Sequence, residues 1–308
     1  MSIKFLNRDK TLTQSQIGQL RTTRPFGYKY PVGLTVTGTN NVGVEYLIVA
    51  GGGGGGGNSD ARYGAGGGGA GGYRIASGFE IASSQTFTVV VGAGGQSAPG
   101  GSASNGGKGS NTGFYTATTS VWSTGGGYGG GASQVGGSGG SGGGGGNNGV
   151  AGGSGNQGSY TPAEGTNGGN SPGLYNAGSG GGAGGAGGAG QANFGLGVVN
   201  SISGSPVTYS QGGKAWPPFT EAGPSNSGFG GDGSRDWPHP SFTPPAIGGD
   251  NYFAQRGGSG IVIIKYPGAQ QATGGNVITA TADSTVHVFT GSGFFNTSAT
   301  FGAIGSVN

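Results

Sequence analysis

Apolar residues concentrate in short runs near the two ends of the chain. The runs are β-branched and bounded by glycine, which is typical of β-strands. They are LTVTG (34–38), VEYLIVA (44–50), QTFTVVV (85–91), part of 110–121, GIVIIKY (260–266), 276–281 and TVHVFT (285–290). Helical periodicity is almost absent apart from a possible short helix over 10–20, because glycine costs up to about 1 kcal/mol per helical position relative to alanine. The pattern predicts a mainly β protein with irregular structure and almost no α-helix.

The middle of the chain, 92–258, consists of glycine tracts, several with a period of three. Alanines recur at 183, 186 and 189, serines at 138 and 141, and asparagines at 167 and 170. Three residues per turn is the repeat of the polyproline II helix, which has no internal hydrogen bonds, so every peptide group needs an outside partner. Glycine helices can lie close enough to supply that partner to one another. We therefore predict a bundle of polyglycine II helices whose threefold positions mark an edge.

Composition leaves alternatives to this bundle. Glycine and proline number 84 and 14 of 308 residues, a level common in disordered chains and flexible linkers. A collagen-like helix is a poorer match, because the best triplet run lasts only about four triplets and lacks proline. A net charge of +3, with 12 Tyr and 14 Phe, argues against a solvated polymer. The absence of cysteine excludes disulfides as the stabilising element.

Catalytic motifs are missing where they would be expected. The seven glycines after VEYLIVA invite a dinucleotide-binding interpretation, but that site needs a following helix, and NSDARYGAGGGG follows instead. Lys108 and Lys214 precede Gly109 and Ala215 rather than Ser or Thr, so no phosphate loop is indicated. We expect no catalytic residue, no cofactor and no enzymatic activity.

Metal binding is also not indicated by the spacing of the histidines and acids. His239 and His287 have no acidic or histidine neighbour at ligand spacing, and His287 fits one face of a strand. Asp232, Asp236 and Asp250 could surround a cation, although solvated turn aspartates are the favoured interpretation. No metal site is predicted.

Two segments are candidates for recognition. The segment 213–257 carries aromatic residues among seven prolines, which suits binding of sugar rings or protein loops; covering the bundle ends as a small satellite core is the alternative. The candidate receptor-binding residues are Trp216, Phe219, Phe229, Trp237, His239, Phe242, Tyr252 and Phe253. The first thirty residues are basic, with Asp9 as their one acid, and either dock on an acidic partner or form a solvated leader. The candidate attachment residues are Lys4, Arg8, Lys10, Arg21 and Arg24.

Five motifs carry a resemblance to known proteins. They are EYLIVAGGGGGGG (45–57), AGGGGAGGYR (65–74), TFTVVVGAGG (86–95), GSPVTYSQGGK (204–214) and GGSGIVIIKYP (257–267). In this order they resemble the glycine-rich tail-fibre and virion structural proteins of tailed bacteriophages, including those of marine cyanobacteria. The chain is also similar to the polyglycine-sandwich adhesins of some phage tail fibres, and to the glycine-rich region of anaplastic lymphoma kinase receptors. The resemblance implies a β-sandwich-like framework, built from 34–50, 85–91 and 260–290, into which the glycine helices are inserted.

The same resemblance implies an organisation and a function. Residues 1–33 would attach the protein to the virion, 34–267 would form the glycine-rich domain, and 268–308 would form a C-terminal β tail. The protein would be a tail-fibre or receptor-binding component, assembled in the host cytoplasm without a signal peptide. Its expected partners are other virion proteins and a host-surface glycan or protein, while binding to nucleic acid and insertion into a membrane are not expected. Fibre proteins are often homo-trimers, but the sequence has no coiled-coil heptad that would argue for one. A purely structural fibre or decoration subunit is the alternative, and an ice-binding protein is a more distant one.

Overall fold

Short β-strands frame the molecule. The computed structural model describes residues 41–59, 64–99, 102–215, 221–234 and 253–302. The strands in these ranges are β1 (Val42–Val49), β2 (Tyr73–Ile81), β3 (Thr86–Val90), β4 (Thr112–Tyr115), β5 (Ser120–Ser123), β6 (Val198–Asn200), β7 (Val207–Tyr209), β8 (Ile261–Pro267), β9 (Ala272–Thr273), β10 (Val277–Ala280), β11 (Ser284–Phe289) and β12 (Gly293–Thr297). The helical content within these ranges is a single 3₁₀ turn at Gln191–Asn193, so the predicted mainly β class is confirmed.

Two five-stranded antiparallel sheets form a sandwich. Their strand orders are β10-β11-β8-β1-β2 and β5-β4-β3-β12-β9, and β6 and β7 form a separate hairpin. The segment after Pro267 supplies β9 to β12, which belong to both sheets. The sandwich-like framework expected from the resemblance is therefore present, and the strands of 272–297 are built into it.

One apolar core lies between the sheets and a second covers the outside of the first sheet. Between the sheets, Tyr46, Phe79 and Phe114 meet edge to face, with ring centroids 5.5–5.6 Å apart. On the outer face, Leu47 and Ile263 pack with residues of the β6–β7 region. Because β1 and β8 are buried on both faces, their sequences read as continuous apolar runs rather than as alternating ones.

His287 lies on β11 within the first core, as the alternation of TVHVFT predicts. Its Nδ1 is 2.7 Å from the carbonyl oxygen of Gly274, so Nδ1 carries the proton. Its Nε2 then accepts a hydrogen bond from the hydroxyl of Tyr266 at 3.1 Å. That hydroxyl in turn accepts from the N–H groups of Gln271 and Ala272. Burial lowers the pKa of His287, which keeps the ring neutral in this network.

Most of the strongly β-branched runs became strands, and less regular ones were missed. The runs at 44–50, 85–91, 260–266, 276–281 and 285–290 correspond to β1, β3, β8, β10 and β11, and 110–121 covers β4 and the start of β5. The strands that the runs did not include are β2, β6, β7, β9 and β12. Of these, β2 contains Gly78 at a φ of +73°, opposite a register shift in β1. The predicted strand at 34–38 and the possible helix at 10–20 lie outside the described residues.

The glycine tracts leave and rejoin the sandwich at one end. The end of β1 pairs with the starts of β2 and β8, Val49 opposite both Tyr73 and Ile261. In the second sheet, the start of β4 pairs with the ends of β3 and β5. The N–H of Gly260 donates to the carbonyl of Gly92 at 2.9 Å, which joins the two sets of strand ends. The excursions 50–72, 91–111 and 124–260 therefore begin and end at the same end of the sandwich.

Within these excursions, the seven-glycine tract 51–57 is enclosed by six other tracts. The N–H groups of Gly51, Gly52 and Gly53 donate to the tracts 104–110, 255–258 and 66–69, respectively. Gly54 to Gly57 then donate to the same three tracts in the same order. The carbonyl groups of 51–57 accept in the same rotation from 126–132, 95–98 and 231–234, and all these N···O distances are 2.8–3.2 Å. All seven glycines are buried. A threefold rotation of partners is the arrangement predicted for packed polyglycine II helices.

The threefold positions outside this tract mostly mark the surface of the bundle. Ala186 and Ala189 are exposed, as are Asn167 and Asn170. The asparagines also do something that the period did not reveal, since their Oδ1 atoms accept from the N–H groups of Gly155 and Gly152 at 2.9 and 3.0 Å. An asparagine side chain thus replaces a missing neighbouring tract. Ser141 differs, because it is fully buried.

Candidate functional site

The bundle has a distal end, which we define as the end away from the sandwich, at Gly55–Gly57. At the sandwich side, Ala50 bonds to Gly72 and Gly51 to Ser110. At the distal end, Gly57 donates to Ser104, Ser234 donates to Gly56, and Gly55 donates to Gln255. The glycine of 51–57 to which a neighbouring residue bonds therefore shows how far that residue lies from the sandwich.

Two stretches of the candidate recognition segment 213–257, namely 216–220 and 235–252, have flanking residues at this distal end; we call these stretches the aromatic segments. The segment 235–252 lies between Ser234, which bonds to Gly56, and Phe253, which is two residues from Gln255. The segment 216–220 lies between Ala215 and Glu221, and Gly233, one residue before Ser234, donates to the carbonyl of Lys214. The two segments themselves lie outside the described residues. Connections of this kind on a rigid support are common binding positions.

A buried carboxylate holds the two sides of the segment 216–220 together. Asp232 is 4% exposed; its Oδ1 accepts from the backbone N–H of Lys214 at 2.7 Å, and its Oδ2 accepts from that of Glu221 at 2.9 Å. The Nζ of Lys214 forms an ion pair with Oε2 of Glu221 at 3.2 Å. We call this arrangement of Lys214, Glu221 and Asp232 the carboxylate clamp.

The expectation that Asp232 is a solvated turn residue is wrong. Its burial raises the pKa of its carboxyl group to about 6, although the hydrogen bonds from Lys214 and Glu221 oppose that rise. Asp236 and Asp250, the other residues considered for a cation, lie outside the described residues. Among the residues that are described, no group of three or more His, Cys, Asp or Glu could hold a metal ion.

A cavity of about 380 Å³ lies beside the clamp. The side chains that line it are those of Gln211, Lys214, Glu221, Pro224, Phe229 and Asp232. The carboxylate of Glu221 is largely exposed and Phe229 is half-buried. The cavity therefore combines an ion pair with one aromatic surface.

The two described members of the predicted aromatic set lie at different depths. The carbonyl of Phe229 accepts from Gly258, whose carbonyl accepts from Gly52, so Phe229 is near the sandwich side. Phe253 is exposed and lies at the distal end. The other predicted residues are outside the described ranges; they are Trp216, Phe219, Trp237, His239, Phe242 and Tyr252, together with Lys4, Arg8, Lys10, Arg21 and Arg24.

Sequence reasoning missed a second group of distal side chains. Leu174, Tyr175 and Val135 are exposed on loops that the buried Asn147 joins. Its Oδ1 accepts from the N–H of Ser133 at 2.7 Å, and its Nδ2 donates to the carbonyl of Leu174 at 3.1 Å. The turn sequence NSPGLYN at 170–176 was the available signal, because Asn, Pro and Gly there interrupt the tracts.

Comparison with known proteins gives a family for the chain. None of the described helices has the length and apolar character needed to cross a membrane. No curated protein matches the sequence. Residues 31–267, which include every glycine tract of the bundle and the strands β1 to β8, match the family model described as a glycine-rich domain. The chain therefore belongs to the glycine-rich domain family.

Proposed function

We propose that this protein is a non-enzymatic virion component of a tailed bacteriophage, a tail-fibre or receptor-binding protein that attaches to the host cell. The observation that carries the proposal is the departure of both aromatic segments from the distal end of the bundle. The residues that flank both segments, Ala215, Glu221, Ser234 and Phe253, are held at this end, so a binding surface there would face away from the framework.

The bundle favours recognition because it is a stiff support. The peptide groups of 51–57 are hydrogen bonded on all sides, and the carboxylate clamp fixes both sides of 216–220. Binding by loops whose bases are already ordered loses less conformational entropy. Receptor contact would then be made chiefly by Trp216, Phe219, Trp237 and their neighbours.

The chemistry at the cavity is compatible with the proposed host ligand. Glu221 and Lys214 can exchange hydrogen bonds with hydroxyl groups, and Phe229 offers an apolar surface. Sugar rings present both kinds of surface, as do exposed protein loops. A cell-surface glycan or protein is accordingly the proposed receptor.

Attachment to the virion is proposed for the segment that precedes the sandwich. β1 begins at Val42, opposite Ile81 of β2, and runs toward the glycine tracts, so the chain enters the sandwich at the end away from the distal loops. In this proposal residues 1–33 contact other virion proteins, the protein assembles in the host cytoplasm, and neither nucleic acid nor a membrane takes part. A homo-trimer remains the assembly proposed from the resemblance.

A second candidate is a purely structural fibre or decoration subunit. The six-fold enclosure of 51–57 supports it, because a rigid rod is also what a spacer requires. Labelling of particles separates the two functions. Label at the fibre tip supports recognition, and label along a shaft or on the capsid supports a spacer.

Adsorption to host cells tests the proposed function. We expect Trp216→Ala combined with Trp237→Ala to weaken binding of the protein to cells at least about tenfold, since buried interface tryptophans typically contribute 2 kcal/mol or more. The matched control is Phe294→Ala, because Phe294 is 57% exposed but lies on β12 of the sandwich. Melting temperature should stay unchanged in both variants. Unaltered adsorption of the double variant would remove these loops from the proposal.

A further inference from the structure

The two outer strands of the first sheet differ in how well they are protected against pairing with another chain. At one edge, β2 carries the charges Arg74 and Glu80, and it bends where Gly78 has a φ of +73° opposite the register shift in β1. Charges and bulges of this kind keep an edge strand from pairing with another chain. This edge is protected.

At the other edge, β10 has none of these features. All four of its residues are exposed, with Val277 at 54% and Ile278 at 37%. Its sequence context, NVITATAD at 276–283, has no proline and no charge before Asp283. One side of β10 pairs with β11, and no other described strand pairs with its free side.

The second sheet does not offer a comparable edge. β9 has two residues, too few to form a ladder. At β5, the carbonyl oxygen of Trp122 already accepts a hydrogen bond from Nη1 of Arg74 at 2.6 Å. Among the edges that the structure describes, β10 is therefore the one most open to a further strand.

We propose that the free edge of β10 pairs with β10 of a second copy of this chain, antiparallel and about a twofold axis. A twofold interface brings the same surface of both copies together, so a charged strand would oppose its own charge. Residues 276–282 are uncharged and carry Val, Ile and Thr, which pair well across antiparallel strands. The pairing joins the two five-stranded sheets into one continuous sheet.

Two consequences set the strength and shape of this dimer. A four-residue strand buries much less than the roughly 800 Å² per partner of a standard interface, so the dimer is weak and depends on concentration. Antiparallel pairing also directs the two glycine bundles to opposite ends of the joined sheet. The proposal stands apart from host recognition, and it replaces the homo-trimer that the resemblance implies with a dimer.

Sedimentation equilibrium of the full chain tests the association. We expect a reversible monomer–dimer equilibrium that Ile278→Lys weakens at least about tenfold, because lysine on an edge strand opposes pairing. Ile75→Lys is the matched control, since Ile75 is 39% exposed on β2 and should leave the equilibrium unchanged. A monomer at all concentrations up to about 1 mM, a trimer, or equal effects of both lysines would overturn the proposal.

Disulfide trapping gives an independent test, because the chain contains no cysteine. Single cysteines placed at 277–280 should form intermolecular disulfides fastest near the twofold axis, where facing Cα atoms lie about 4.5–5.5 Å apart. The rate should fall at positions on either side. Ile75→Cys should cross-link slowly. Equal rates at Ile75→Cys and at every β10 position would contradict ordered antiparallel pairing.

Discussion

Glycine is the packing residue of this protein, because the missing side chain is the space that a neighbouring backbone occupies. At Gly54, a Cβ atom would fall on the carbonyl oxygen of Gln96. At Gly291, by contrast, no atom lies within 4 Å of the corresponding position. Two glycines with the same conformational freedom therefore tolerate substitution very differently.

Replacement of these two glycines by valine measures that difference. We expect Gly54→Val to lower the free energy of unfolding by about 3 kcal/mol or more, at or beyond the upper range for overpacking. Gly291→Val should change it by no more than about 0.5 kcal/mol, as is usual for surface substitutions. Urea denaturation followed by circular dichroism gives both values. Equal stability of the two variants would contradict a packed-glycine core.

The charge of Asp232 should make stability depend on pH. Its pKa of about 6 in the folded protein lies above its ordinary value of 3.8. Between these values the folded protein keeps a proton that the unfolded chain has released, so this group's contribution to stability falls as pH rises. Asp232→Asn cannot titrate. The stability of the variant relative to the wild type should therefore rise by on the order of 3 kcal/mol between about pH 4 and about pH 7.

Denaturation of both proteins across this pH range provides the measurement. Asp283→Asn is the control, because it makes the same chemical change at an exposed carboxyl group instead of the buried one. His287 contributes the same pH dependence of the free energy of unfolding to all three proteins, because its lowered pKa reduces stability as pH falls below about 6.5. Comparison with the wild type cancels it. A constant difference between Asp232→Asn and wild type would show that Asp232 does not titrate in this window.

The role of Asp232 could not be predicted from its neighbours in sequence. In GGDG it has the context of an ordinary turn aspartate. Its burial comes from the segments beside Lys214, Glu221 and Gln255, which are joined to it by hydrogen bonds from elsewhere in the chain. A local pattern contains no information about such partners.

Among the elements, strands were predictable where both faces are buried. β1 and β8 are continuous apolar runs, because one core lies on each side of them. β2 was missed because Ser77 and Gly78 interrupt its alternation at the bulge. Burial is not the only source of a signal, because the exposed β10 was also predicted, from the Val, Ile and Thr residues of 276–281.

For the glycine tracts, the period of three predicted the kind of packing but not the partners. Gly53 bonds to Gly69 nearby in sequence, while Gly52 bonds to Gly258. Since glycines have no side chains to distinguish one another, nothing local specifies which tract lies beside which. The sandwich supplies that order, because it fixes where each excursion begins and ends.

Across residues 41–302, the sandwich lies at one end of the bundle, and the residues that flank the aromatic segments lie at the other. The strand ends that carry the tracts lie at the same end of the sandwich, and the aromatic segments leave at the distal side of the bundle. The sequence predicted that loops would lie at bundle ends. The sequence did not predict which loops share the distal end, because that depends on which glycine of 51–57 each neighbouring tract bonds to in the folded protein.

A core made of peptide groups should also change how the protein responds to temperature. Exposure of apolar surface raises the heat capacity on unfolding, whereas exposure of polar surface lowers it, and ordinary proteins gain about 12–15 cal/mol/K per residue. With 84 glycines of 308 residues, the bundle exposes chiefly peptide groups when it unfolds. We expect a heat-capacity change per residue of roughly half the ordinary value, measured by differential scanning calorimetry. An ordinary value would contradict this account of the core, and a reduced one implies a flat stability curve, so that the fold persists in cold water nearly as well as in warm.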